Sequence, residues 1–76
     1  MVEFAFACIN NTVEIILREG GKVARGLLFS IDPKTLALAL KKVQIGEDRF
    51  DIKLIQFKDI QYMKCSVPEQ EPPQPN

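Results

Sequence analysis

Short runs in which apolar and polar residues alternate follow one another along this chain, and each run predicts a β-strand. The first strand is predicted at 12–18, where every second residue is apolar. The Gly-Gly pair at 20–21 predicts a hairpin turn, because glycine readily adopts the positive φ angles of tight turns. The apolar stretch 3–9 fits either a short helix or a strand.

A second strand is predicted at 22–31, which is long for a strand. Gly26 lies in its middle, where a glycine indicates a bend or the close approach of another backbone. Asp32 and Pro33 then predict a turn, in which the carboxylate accepts hydrogen bonds from nearby amides. Leucines and alanines alternate over 36–40 and predict a third strand.

Two more strands are predicted at 50–57 and 60–64, after a short connection over 43–49. The fifth strand places Ile60 and Tyr62 on one side. The fourth strand places three apolar residues on a face for which burial in the core is the favoured interpretation: Phe50, Ile52 and Leu54.

Five short strands, one of them bent at a glycine, predict an all-β fold in the form of a small, partly open barrel. We assign residues 1–65 to this domain, with its first residues as a candidate helix. Residues 66–76 contain four of the five prolines and few apolar residues, so we expect a disordered or polyproline-like tail. A solvated terminus is favoured there over a docking motif.

The length, charge and cysteine content of the chain limit the functions that it can perform. A domain of 76 residues has a small core, so association with other chains is expected. Lys+Arg and Asp+Glu are both 10, and the zero net charge disfavours strong nucleic-acid binding by the chain alone. Cys8 and Cys65 are expected to be free, mostly buried thiols, because the start of the chain resembles no signal peptide. This interpretation predicts a cytoplasmic or nuclear location.

Residues for catalysis or metal binding are sparse. The chain has no histidine, no C-x-x-C pair and no glycine-rich phosphate loop with its lysine. We therefore expect no enzymatic activity, no metal and no cofactor.

The order of these motifs resembles the Sm/LSm family over about residues 3–64. The run V-E-I-I-L-x-x-G-G, then R-G-L-L, then Asp32 six residues after Gly26, is similar to the first motif of that family. The stretch L-I-Q-F-K-D-I-Q-Y-M is similar to its second motif. The resemblance implies an N-terminal helix and five strands curled into an open barrel.

The resemblance also implies how subunits associate, since the fourth strand of one subunit pairs with the fifth strand of the next. Unpaired edge strands offer backbone groups that a related fold can bind. Burial in the chain's own core remains the alternative for the residues assigned to this interface: Ile52, Leu54, Ile55, Phe57, Ile60, Tyr62 and Met63.

The chain departs from RNA-binding members of the family at the residues that hold a base. Those members carry an Asn in the loop after the second strand and Arg-Gly between the fourth and fifth strands. Ala37 stands at the Asn position, and Gln56 and Phe57 replace Arg-Gly. Because alanine cannot hydrogen-bond a base edge and Phe57 fills the space above glycine, we expect direct RNA binding to be weak or absent.

Three functions remain open. The stretch S-I-D-P-K-T-L-A-L-A-L is close in spacing to the Gemin-six type of Sm-fold subunit. That likeness implies a scaffold that pairs with another Sm-fold protein in the SMN complex and assists assembly of spliceosomal particles. The second function is a divergent LSm domain of an mRNA decapping or translation-regulation scaffold that binds peptide motifs. The third is an RNA-binding LSm ring subunit.

Overall fold

The computed structural model describes residues 2–66. A short helix is followed by five strands: α1 (Val2–Ala7), β1 (Thr12–Leu17), β2 (Val23–Asp32), β3 (Ala37–Ile45), β4 (Asp48–Gln56) and β5 (Ile60–Ser66). All neighbouring strands are antiparallel, and their order across the sheet is β4-β3-β2-β1-β5. The predicted fold class is therefore confirmed, and the open interpretation of residues 3–9 is decided in favour of a helix.

The predicted tail begins at residue 66, but the structure places Ser66 in β5. Residues 67–76 lie outside the described residues, so the expectation of a disordered tail stays a prediction. No helix in the described range is long and apolar enough to cross a membrane.

One hydrophobic core joins α1 to the strands of the sheet. The helix contributes Ala5, and Cys8 follows in the turn after it; both are almost fully buried. The strands supply the largest fully buried side chains: Val13, Ile15, Leu28, Leu38, Leu40 and Val43. Val13 and Ile15 are the alternate apolar positions expected to face inward in β1, while Leu17 at the strand's end is half-buried.

Gly26 lies where β2 closely approaches the backbone of β3. A Cβ atom at this position would lie 2.9 Å from Val43 Cγ2 and 3.1 Å from the Lys41 carbonyl oxygen. The pairing register of β2 against β3 shifts between Arg25 and Leu27, and Lys42 opposite has φ +53°. The glycine therefore permits the close approach that its place in the sequence predicted.

The turns at the two ends of β1 follow their sequence signals. Gly20 and Gly21 have φ angles of +73° and +62° and join β1 to β2. Asn10, with φ +74°, follows α1, and its N–H donates to the Leu28 carbonyl at 2.6 Å. This hydrogen bond ties the turn after the helix to β2.

Several predicted strand boundaries were wrong, and those around β3 changed most. Leu36 lies in the β2–β3 loop with φ +56°, and its N–H donates to the Asp32 carbonyl at 2.8 Å, so β3 begins one residue later than expected. Residues 43–49 form no connection, because β3 and β4 continue until only Gly46 and Glu47 separate them. Gly46 has φ +62°, as a two-residue hairpin turn requires.

Candidate assembly interface

Both outer strands of the sheet have an unpaired edge within the described residues. β4 pairs only with β3, and β5 pairs only with β1. About half of the backbone N–H and C=O groups of an edge strand point away from its partner. Both edges can therefore accept another strand by main-chain hydrogen bonding.

β4 displays two large apolar side chains on its outer face. Ile52 and Leu54 are 61% and 65% exposed, opposite Lys41 and Ala39 of β3. The expectation that the face containing Phe50, Ile52 and Leu54 would be buried was therefore wrong for the last two residues. The other side of β4 points inward, because Ile55 pairs with Leu38 and is buried with it.

Phe50, by contrast, packs against the core beside Val43 and is half-buried. The Lys53 ammonium lies 4.9 Å from the centre of its ring and partly covers it.

β5 is less apolar on its outer side. Tyr62 is 56% exposed, whereas Ile60 and Met63 are buried in the core. A register shift at the end of β1 explains this change of sides, because Ile60 lies opposite Leu17 while Tyr62 lies opposite Ile16. The prediction that Ile60 and Tyr62 share one side was therefore wrong.

The residues assigned to the interface thus divide into two groups. Ile52, Leu54 and Tyr62 are exposed on the two edge strands. Ile55, Ile60 and Met63 belong to the chain's own core, and Phe57 is half-buried against it. The first group presents the most exposed side chains to a partner, and Phe57 is partly accessible.

The β2–β3 loop and the β4–β5 junction meet beside the end of β4. Ala37 pairs with Gln56, and the Phe57 N–H donates to the Leu36 carbonyl at 2.9 Å. These two segments are the ones where the sequence resemblance places the residues that hold a base. A shallow depression of about 250 Å³ lies there, lined by Thr35, Leu36, Gln56, Phe57 and Lys58.

Asp32 shapes the loop beside this depression. Its carboxylate accepts the Lys34 N–H at 2.9 Å. This hydrogen bond, together with hydrogen bonds from the Thr35 side chain and backbone, lowers the pKa of Asp32. Asp32 therefore has a structural role in the turn, as its place before Pro33 predicted.

Arg18 forms hydrogen bonds with the junction between β4 and β5. Phe57–Asp59 forms a single turn of 3-10 helix. The Arg18 N–H donates to the Asp59 carbonyl at 2.9 Å, and Arg18 Nε donates to the Lys58 carbonyl at 3.0 Å. Arg18, the residue after β1, therefore ties the 3-10 turn to the end of β1.

The depression differs in its residues from the base-holding site that the resemblance implies. Ala37 is buried and has no polar side-chain atom, and the Phe57 ring packs partly against the core. The polar groups that remain around it are the Thr35 hydroxyl, the Gln56 amide and the Lys58 ammonium. No cluster of three or more metal-binding side chains occurs among residues 2–66.

Sequence reasoning missed two exposed aromatic residues on α1. Phe4 and Phe6 are 46% and 44% exposed. In this short helix Ala5 lies between them and faces the core, so both phenylalanines flank the buried stripe. Residues spaced i, i+2 in a helix point in different directions, so Phe4 and Phe6 cannot both face the core. This spacing was the signal in the sequence for their exposure.

The bent antiparallel sheet, the preceding short helix and the strand order define the Sm-like fold. No protein-family model matches the chain, and no curated protein matches it. Solved structures do match it. The Sm protein of Pyrococcus abyssii, crystallised with a uridine heptamer, is 17% identical with a TM-score of 0.72, covering 86% of this chain and 96% of that chain.

Two other solved structures show the same fold in different assemblies. A heptameric archaeal Sm protein is 18% identical with a TM-score of 0.69, covering 87% of this chain and 98% of that chain. A chain of the NatC complex bound to CoA is 20% identical with a TM-score of 0.60, covering 74% and 75%. The solved structures that this chain resembles thus include a heptamer, a protein in complex with a uridine heptamer and a chain of a larger complex.

Proposed function

We propose that this chain is a non-catalytic assembly subunit that pairs with another Sm-fold protein through β4 and β5. The observation that carries the proposal is the exposure of Ile52 and Leu54 on an edge strand with free main-chain groups. Large apolar residues on an open edge promote uncontrolled association unless a partner covers them. Burial of one such side chain contributes about 1.5–3 kcal/mol.

Tyr62 on the other edge supports the same function. Tyrosine is enriched at protein interfaces, since its ring buries apolar area while its hydroxyl keeps a hydrogen-bond partner. Its exposure on β5 gives the second edge an anchor of its own.

The biological setting that we propose is the assembly of spliceosomal ribonucleoproteins, in a complex of the SMN type. The support for this setting is the spacing of S-I-D-P-K-T-L-A-L-A-L. The chain of the NatC complex, which has a similar fold, gives a parallel for an Sm fold within a multi-protein complex.

The pairing surface can be tested with one charged substitution and a matched control. Leu54→Lys places a charge on the outer face of β4, and Val23→Lys makes a similar change at an exposed position of an interior strand. We expect Leu54→Lys to weaken binding to an Sm-fold partner by at least about tenfold, as loss of an anchor does. The Val23→Lys variant should bind as the natural chain does.

The measurement is calorimetric titration with candidate Sm-fold partners, with light scattering to give the mass of each complex. Both variants should remain folded, because neither position is part of the core. Equal affinity of Leu54→Lys and the natural chain would contradict the proposed interface.

Weak RNA binding is the second part of the proposal. We expect negligible binding of labelled oligo-uridine by fluorescence anisotropy. A triple variant that restores the family's residues should raise the affinity by about tenfold or more, because base stacking contributes about 1–3 kcal/mol per base. Its three changes are Ala37→Asn, Gln56→Arg and Phe57→Gly. Tight, sequence-dependent binding by the natural chain would contradict this expectation.

A ring subunit that binds RNA is the second candidate, because one neighbour is a heptamer and another holds uridines. It requires a six- or seven-membered assembly whose RNA affinity falls as the salt concentration rises. A stable one-to-one complex with another Sm-fold chain would exclude it.

A peptide-binding scaffold is the third candidate. Phe4 and Phe6 favour it, because these exposed aromatic residues lie outside the edge strands. This function predicts a monomer or weak dimer that binds a helical or extended peptide motif. Loss of peptide binding in Phe4→Ser but not in Leu54→Lys would support it.

A further inference from the structure

The two cysteines of the chain lie next to each other in the folded domain. Cys8 follows α1 near the start of the chain, and Cys65 lies near the end of β5, opposite Val13. The Cys65 thiol is near enough to Cys8 to help raise the pKa of the Cys8 thiol. Cys65 also packs against the core cluster that contains Cys8.

We propose that Cys8 and Cys65 form an oxidisable dithiol site, which closes to an intramolecular disulfide and links the turn after α1 to the edge strand β5. The proposal rests on the packing of both cysteines in one hydrophobic cluster and on their unequal access to solvent. It does not depend on the proposed assembly function.

The two thiols differ in exposure, and this difference sets the order of reaction. Cys8 is 1% exposed, whereas Cys65 is half-buried and partly reached by solvent. Burial and the neighbouring Cys65 raise the pKa of Cys8 to about 12, so its thiolate is scarce. Cys65 is therefore the thiol that meets an oxidant first.

Oxidised glutathione is a suitable oxidant for this site. The Cys65 thiolate attacks one glutathione sulfur, forms a mixed disulfide and releases one glutathione thiol. Cys8 then loses its proton, and its thiolate attacks Cys65 Sγ and releases the second glutathione as a thiolate, which takes up a proton. Two S–H bonds of the protein are lost, one S–S bond forms, and the two electrons reduce the glutathione disulfide.

The link would constrain the chain strongly, because it closes a loop that includes β1 to β4. A cross-link across a long loop reduces the freedom of the unfolded chain. It would also hold α1 against β5 and limit fraying at that edge of the sheet.

The test begins with the fully reduced natural chain in mixtures of reduced and oxidised glutathione. After equilibration, free thiols are blocked with N-ethylmaleimide, and the intact mass and protease fragments are measured. We expect a monomer lighter by two hydrogens, a fragment joining Cys8 to Cys65, and a higher thermal unfolding midpoint. Reduction should reverse all three changes.

Cys65→Ser serves as the control, because this half-buried position tolerates a polar side chain better than Cys8 does. Its unfolding midpoint should not respond to oxidised glutathione. Cys8→Ala, which keeps an apolar side chain in the core, should instead retain glutathione on Cys65.

Three results would each overturn the proposal. The first is alkylation of both thiols of the natural chain at every glutathione ratio. The second is a natural chain in which Cys65 keeps glutathione while Cys8 stays reduced, and the third is an oxidised product that is a dimer linked between two chains.

Discussion

Gly26→Ala is the substitution that tests the architecture most directly. The added methyl group would lie 2.9 Å from Val43 Cγ2, 3.1 Å from the Lys41 carbonyl oxygen and 3.2 Å from Val43 Cα. Two of these three atoms belong to the backbone of β3, so side-chain rotation alone cannot relieve the overlap. β2 and β3 must therefore separate at the bend.

The size of the effect follows from two opposing contributions. Overpacking of this kind costs about 1–3 kcal/mol. Replacing glycine by alanine reduces the entropy of the unfolded chain, which raises the free energy of unfolding by about 0.4–1 kcal/mol. We expect a net loss of about 1–2 kcal/mol, which in a domain of this size lowers the thermal midpoint by about 4–16 °C.

The assay is a double-mutant cycle with Val43→Ala, measured by urea unfolding. Removing the Val43 methyl groups relieves the shortest contact, so the two substitutions together should cost less than the sum of each alone, by about 1 kcal/mol. Gly46→Ala is the control, because its Cβ would have no atom within 4 Å. Its cost arises from φ +62° and should add to that of Val43→Ala. Additivity in the Gly26 cycle, or an unchanged stability of Gly26→Ala, would refute the reasoning.

Two further predictions concern the turn at Asp32 and the different stability costs of substitutions in the core and on an edge strand. Asp32 has a lower pKa in the folded chain than in the unfolded chain, so its charged form contributes stability that is present above about pH 4 and is lost as the pH falls through the folded value. Asp32→Asn should flatten this part of the stability–pH profile. If the variant keeps the profile of the natural chain, the hydrogen bonds to Asp32 in the turn do not cause the pH dependence. Leu28→Ala, at a fully buried position, should cost about 2–5 kcal/mol in urea unfolding, whereas Leu54→Ala should stay within about 0.5 kcal/mol. A comparable loss in both variants would mean that Leu54 packs in the core.

Much of the fold could be predicted because local chemistry specified it. The Gly-Gly turn, the bend at Gly26 and the Asp32 turn each require a particular residue type, and the structure places all three as predicted. The long β3–β4 hairpin was missed, because the polar residues around Gly46 are typical of a loop. A two-residue turn is nevertheless what a single glycine with positive φ permits.

The candidate interface was harder to predict for a physical reason. Alternation shows that a strand has two faces, but the same pattern fits an apolar face buried in the chain's own core and one left for a partner. The alternation of β4 favoured Ile52 and Leu54 as core residues, and the resemblance alone assigned them to an interface. The structure exposes both and buries Ile55 instead. For Ile60 and Tyr62 the register shift beside Leu17 reversed the side chains, and sequence spacing carries no sign of that shift.

The sequence by itself determined the strand-rich fold, its turns and the missing polar group at Ala37, because these depend on residue type and short-range backbone geometry. Only the tertiary structure decided which apolar residues remain exposed at the two edges, and only the structure brought Cys8 beside Cys65. Both outcomes depend on how strands distant in sequence pair and curve, and that pairing is a property of the whole sheet.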